Sequence, residues 1–170
     1  LRASKAMMEE IELDKLLAKL MRIVLENGGA TRGLIMLEDK GKWLIEAEAE
    51  TSNGRIEVQS TLGISPSNSN KLAESIANFL FRTNFFIVLD NATREGQFVN
   101  DPYLQTTGIS SILCMPLINQ GKLSGILYLE NNLAKGAFTK QQAEVLNILS
   151  AEIAISINNA RLYYNLNSIN

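Results

Sequence analysis

SSILCMPLINQGKLSGILYLEN, residues Ser110 to Asn131, decides how the rest of the chain is read. Two apolar runs flank Asn119-Gln120-Gly121-Lys122, a polar tetrapeptide with glycine where a hairpin turn wants positive φ. Neither run has a clean polar face. In the first, Ile112 and Cys114 alternate with Leu113, Met115 and Leu117; in the second, Leu123, Leu127 and Leu129 alternate with Ile126 and Tyr128. Strands apolar on both sides are covered on both faces. This spacing predicts a hairpin in the middle of a sheet, with the remaining elements as its cover.

Working outward, residues 1–27 read as a helix. Leu13, Leu16, Leu17, Leu20 and Val24 share one face, Met7, Met8 and Ile11 extend it upstream, and Gly28-Gly29 is the stop. Leu34–Glu38 is a short strand, and Asp39-Lys40-Gly41-Lys42 a turn. Trp43–Thr51 returns with Trp43, Ile45, Ala47 and Ala49 on one face and Glu46, Glu48 and Glu50 on a solvated one. Arg55–Ser60 repeats the alternation as a third strand. A loop follows, with Ser69 as the cap of a helix over Lys71–Arg82. Phe85–Leu89 is a fourth strand. Residues 91–109 are irregular apart from a helical turn after Asp101-Pro102, where Asp caps and Pro suits the first helical position.

Beyond the hairpin, Thr139-Lys140-Gln141-Gln142 is a capping box that opens a long final helix. Leu146, Leu149, Ile153, Ile157 and Ala160 form its inward stripe. Ile148, Ile155, Leu162 and Ile169 recur every seventh residue on another side. Such a stripe suits either packing on the N-terminal helix of the same chain or a parallel dimer seam. The whole order predicts an α+β domain in three layers.

Composition narrows the function. The chain has 170 residues, enough for one domain with a full core. Its net charge of −2 and scattered Lys and Arg argue against nucleic acid as a partner. No apolar run approaches the roughly 20 residues of a membrane span, and no secretory signal is visible, so a cytoplasmic setting is expected. The chain contains no histidine and one cysteine, Cys114. That removes His-ligated haem, His-containing zinc sites, Ser-His-Asp catalysis and histidine phosphoacceptors, and it leaves no internal disulfide.

LDKLLAKLM (13–21), AESIANFLFRTNFFIVLDNAT (73–93), the hairpin, and GAFTKQQAEVLNILSAEIAISINNARLYYNL (136–166) together resemble the GAF domain family. They are most similar to GAF modules of bacterial, cyanobacterial-type multi-sensor Ser/Thr and histidine kinases. The resemblance implies a GAF/profilin-like α/β/α fold with a central antiparallel sheet of about five or six strands. It also implies long N- and C-terminal helices packed on one face. The chain is expected to be a single GAF domain, with its core at about residues 13–166, cut from a larger signalling protein; Leu1 in place of an initiator Met agrees. No catalytic kinase motif lies within it, so this domain is not expected to be an enzyme.

The chemistries known in the family test poorly against these residues. Cyclic-nucleotide-binding members carry an Asn-Lys-x-n-Phe-Asp-Glu motif; NATREGQFVNDPYL (91–104) has Asn91 and Phe98 without that Lys or a Phe-Asp-Glu. A covalent bilin needs a wet cysteine and usually a neighbouring His, whereas Cys114 sits in an apolar strand. The sulfoxide-reductase members need several cysteines. No cofactor, haem or metal is therefore expected. What remains is an apolar and aromatic pocket beneath the 91–109 loop, with Phe98 and Tyr103 from the loop and Met115 and Tyr128 from the hairpin as candidate ligand contacts. The expectation is a sensory and dimerising module flanked by kinase domains, a homodimer through Ile148, Ile155, Leu162 and Ile169. A ligand-free dimerisation spacer is the alternative, and a cyclic-nucleotide-binding domain the second alternative.

Overall fold

The computed structural model describes the backbone of residues 2–169 and the side chains of residues 12–60 and 62–162. Along the chain lie α1 (Arg2–Gly28), β1 (Arg32–Asp39), β2 (Lys42–Ser52), β3 (Arg55–Ile64), α2 (Glu74–Thr83), β4 (Ile87–Leu89), α3 (Pro102–Thr107), β5 (Ser111–Asn119), β6 (Lys122–Asn131) and α4 (Lys140–Ile169). The strands form one antiparallel sheet in the order β3-β2-β1-β6-β5-β4.

Local chemistry explains most of these boundaries. The two-residue turns Lys40-Gly41, Asn53-Gly54 and Gln120-Gly121 all have positive φ at both positions, the type I′ geometry that matches strand twist. Gly29, at φ 76°, ends α1 in the left-handed conformation. At the start of α4, Gln142 N donates to Thr139 Oγ1 (3.2 Å) and Thr139 N donates to Gln142 Oε1 (3.0 Å). Each side chain satisfies a backbone donor that the helix itself leaves unpaired.

The sheet separates two apolar layers. On one face α1 and α4 lie side by side, and Leu17, Met21, Val24, Leu146, Ile153 and Ile157 pack against Ile35, Leu37, Leu113, Met115, Leu127 and Leu129. On the other, Ile76 and Leu80 of α2 and Leu104 of α3 pack against Leu34, Met36, Ile112, Cys114, Ile126 and Tyr128. Alternation along β1, β5 and β6 sends successive residues to opposite layers, which is why none shows a polar face.

Several expectations are corrected. The central pair is β1–β6, while β5 has a second neighbour only at Ile112–Cys114, through the three-residue β4. Apolarity on both faces reports cover above and below, not lateral position. Phe85 and Phe86 precede β4 and are 69% and 53% exposed. Helix α2 starts at Glu74; its N-cap is Ala73, with no side-chain cap, and Ser69 Oγ instead accepts from Lys71 N in the preceding turn.

The second strand carries the largest revision. Ile35 pairs with Ala47 but Met36 pairs with Ile45, so Glu46 is an extra, bulged residue. A bulge resets the alternation. Ile45 therefore joins the α2 layer while Ala47 and Ala49 join the α1 layer. Glu46 comes near Asp14 of α1 and Arg161 of α4, whereas Glu48 points to the opposite layer. Glu46 and Glu48 do not share one solvated face.

Candidate functional site

A charged centre lies on the α2 side of the sheet, built from residues that strand pairing brings together. Arg32 on β1 stands opposite Glu130 on β6 and diagonal to Glu48 on β2. Its Nη1 donates to Glu130 Oε1 (3.0 Å) and to Tyr103 Oη (3.3 Å). Its Nη2 and Nε donate to Glu48 Oε1 at 3.0 and 3.3 Å. Lys71 Nζ reaches Glu48 Oε2 at 2.7 Å. Tyr128 Oη donates to Glu130 Oε2 (2.6 Å) and accepts from Ala73 N (3.1 Å).

The balance of charge in this centre is even, with Arg32 and Lys71 against Glu48 and Glu130. Only 1% of the Glu130 side chain and 17% of Arg32 are exposed, so each ion depends on its partners rather than on water. Burial by itself would lower the Arg32 pKa, but Glu130, Tyr103 and Glu48 outweigh it and hold the guanidinium charged. Burial pushes the Tyr103 and Tyr128 phenols upward, and the Glu130 carboxylate adds to this, so both stay protonated. For Glu48, burial pulls the pKa up, yet the hydrogen bonds from Lys71 and Arg32 prevail and keep it below the usual carboxylate range.

An open cleft of about 340 Å³ leads from solvent to this centre. Arg32 and Glu130 form its floor, Tyr103 and Ile109 one wall, and Thr51 and Leu133 its rim. A second cleft, of about 320 Å³, lies at the other end of the sheet between the hairpin turns and α4, lined by Glu38, Asn119, Lys122 and Arg161 among others. There Arg161 Nη1 donates to the Glu38 carbonyl at 2.9 Å.

The 91–109 loop is held by Asp101. One oxygen, Oδ1, accepts from Tyr103 N (2.8 Å) and caps α3, as Asp101-Pro102 predicted. The other, Oδ2, accepts from Ser75 N (3.1 Å) and from Ser75 Oγ. A single buried carboxylate thus caps two helices, and supplies the cap that Ala73 lacks for α2.

The four candidate contacts do not converge. Tyr103 lines the cleft and Tyr128 sits beneath it, fully buried and bonded to its floor. Phe98 is buried on the same side, edge-on to Phe79 at 5.6 Å, away from the cleft lining. Met115 belongs to the opposite layer, against the terminal helices, because it is one residue out of phase with Cys114. It is not a wall of any space under the loop. Cys114 is fully buried, and burial drives its thiol pKa up, away from the reactive thiolate. Among the described residues no group of three His, Cys, Asp or Glu is placed to hold a metal.

Arg32, Glu48, Lys71 and Glu130 had no place at a site in the sequence reading, and Asp101 only that of a local cap. Glu130 carried a signal: it continues the Ile126, Tyr128 alternation onto the buried face, and a charge there demands a partner. Arg32 lies 98 residues from Glu130, and only the β1–β6 pairing joins them.

Comparison with known proteins agrees with this architecture. Over 95 residues, 56% of this chain, the sequence is 41% identical to hybrid signal transduction histidine kinase G of Dictyostelium discoideum, and the match spans 3% of that protein's length. Among solved structures, the fold is similar to the GAF domain region of a Geobacter sulfurreducens protein, with a TM-score of 0.68 and 17% identity over 90% of this chain and 97% of that one. It is also similar to the GAF domain of a two-component sensor histidine kinase from Bacillus halodurans, with a TM-score of 0.61 and 17% identity, covering 88% of this chain and 96% of that one. The GAF domain family profile matches residues 12–157, most of the sequence, and the chain belongs to the GAF domain family.

Proposed function

We propose that this domain is a regulatory module of a signal-transduction kinase, taking a small molecule on the α2 side of the sheet and answering through a dimer of its terminal helices. The observation that carries the reading is the outer face of α4. Ile148, Ile155 and Leu162 are 62%, 51% and 50% exposed at seven-residue spacing, although α1 packs beside the same helix. Among the described residues α1 leaves these side chains half uncovered, which supports a second copy as their partner. Ile169, the fourth member of the stripe, lies beyond the described side chains. The kinase context is supported by the Dictyostelium relative, of which this chain spans a small part.

Input and output lie on opposite faces of the same strands. β1 carries Arg32 and Leu34 toward the cleft side and Ile35 and Leu37 toward α1 and α4. A ligand that favours one arrangement of Arg32, Glu130 and Tyr103 changes the strands on which the helix pair rests. It signals only by the difference in its affinity for the two arrangements.

A second reading, a ligand-free dimerisation spacer, draws on one feature. Tyr128 fills the space between sheet and α2, with its hydroxyl bonded on both sides by Ala73 N and Glu130. Thermal melting against a panel of metabolites, cyclic nucleotides included, with light scattering on the same sample, separates the two. A ligand at 100 times its dissociation constant adds about 2.7 kcal/mol, a shift of several degrees. A shift with one compound names the input, and a cyclic nucleotide in that role makes this a cyclic-nucleotide-binding GAF domain. A dimer unmoved by the whole panel supports the spacer.

A further inference from the structure

Between Gly96 (φ 90°) and Gly108 (φ 68°) the chain carries α3 and is joined to the rest of the fold by few polar links. Among the described residues, hydrogen bonds from other elements into 97–107 come from Ser75, to Asp101 Oδ2, and from Arg32, to Tyr103 Oη. The others close within the stretch or at its ends, such as Gln105 N to Asp101 O and Gly108 N to Leu104 O. Its apolar anchors are Phe98, edge-on to Phe79, and the fully buried Leu104.

We propose that residues 97–107 form a flap, hinged at Gly96 and Gly108 and latched to α2 by the carboxylate of Asp101. The two glycines sit in left-handed backbone that other residues adopt at a cost, and absorb a change of direction most easily. The latch follows from the double capping. Asp101 serves the first turn of α3 and the first turn of α2, 26 residues earlier, where Ala73 offers no side-chain cap. Both helices direct their positive ends at one carboxylate. Lifting the flap breaks the Asp101–Ser75 and Tyr103–Arg32 links together, loosens the start of α2, and widens the cleft above Arg32 and Glu130 by removing the Tyr103 wall. That this regulates ligand entry rests on the sensing reading above; the opening itself does not.

Native-state hydrogen exchange on the whole chain, without ligand, tests it by comparing Ser75→Ala and Asp101→Ala with the parent. Ser75 lies outside α3, so Ser75→Ala speeds exchange in residues 103–108 only if the latch is real. The expected rise is about three- to tenfold, the loss of part of a cap. Asp101→Ala is expected to speed both 103–108 and the amides of Ile76 and Ala77, while Leu127–Glu130 in β6 exchange as before. The proposal is overturned if Ser75→Ala leaves 103–108 unchanged, or if Asp101→Ala affects 103–108 alone, which makes Asp101 an ordinary local cap. It is equally overturned if β6 accelerates in step, because the flap then opens only when the whole domain unfolds. A working flap in a domain that no panel compound stabilises retires the sensing reading and leaves the flap standing.

Discussion

Tyr128 shows how one side chain can be both core and polar anchor. Its ring belongs to the α2 layer, and its hydroxyl answers the backbone N–H of Ala73, just before α2, and the buried Glu130. Tyr128→Phe keeps the ring and strands that N–H, so we expect a loss of about 1–3 kcal/mol in urea unfolding. Phe at this position leaving the midpoint unchanged would mean that water reaches Ala73 N. The carboxylates on β2 act with opposite sign across pH. Glu48 is held below its ordinary 4.5 despite burial, so its contribution is present above that value and is lost as pH falls below it. Burial raises Glu46 above 4.5, helped by Asp39 and Asp14 and opposed by Arg161. Its ionisation therefore costs stability as pH climbs past 4.5. Glu48→Gln should flatten the acid limb of a stability profile taken from about pH 3 to about pH 7, while Glu46→Gln should raise the neutral end. The same slopes in both variants would refute this division.

Element by element, what was legible was local. Gly after a polar residue in the hairpins at Lys40-Gly41 and Gln120-Gly121, the Thr139–Gln142 capping box and Asp101-Pro102 each act within four residues, and each ends or begins an element as its chemistry requires. The bulge at Glu46 was not legible, because an extra residue shows only against the strand beside it. Reading unbroken alternation through Trp43–Glu50 placed Glu46 and Glu48 together, and the register of β1 separates them. The start of α2 was misplaced for a similar reason, since its cap comes from Asp101 across the fold. The outer stripe of α4 follows from the 3.6-residue helical period and yields a prediction of its own. Ile155→Glu with Leu162→Glu is expected to turn a dimer into a monomer by light scattering. The circular dichroism and melting cooperativity of a folded domain should remain, because both residues are about half exposed already. A dimer that survives the double change has its seam elsewhere.

For the whole molecule, the sheet is a partition, with α2, α3 and the charged cleft on one face and the terminal helices on the other, and the proposed dimer belongs to the second. If two copies meet along α4, binding contributes to stability by mass action. The melting temperature should then fall by a few degrees over a hundredfold dilution of the parent protein and stay constant for the Ile155→Glu, Leu162→Glu variant. Equal behaviour of the two would exclude α4 as the coupling surface. The sequence by itself determined the α+β layering, the apolar double-faced hairpin, the end of α1, the starts of α3 and α4 and the GAF resemblance, since these rest on periodicity and on residues a few positions apart. Only the tertiary structure decided which layer each side chain joins. It set Met115 against the terminal helices and Tyr128 under the cleft, joined Arg32 to Glu130, and lent Asp101 to Ser75. Strand register and long-range capping link residues far apart in the chain, and no local pattern records such a partner.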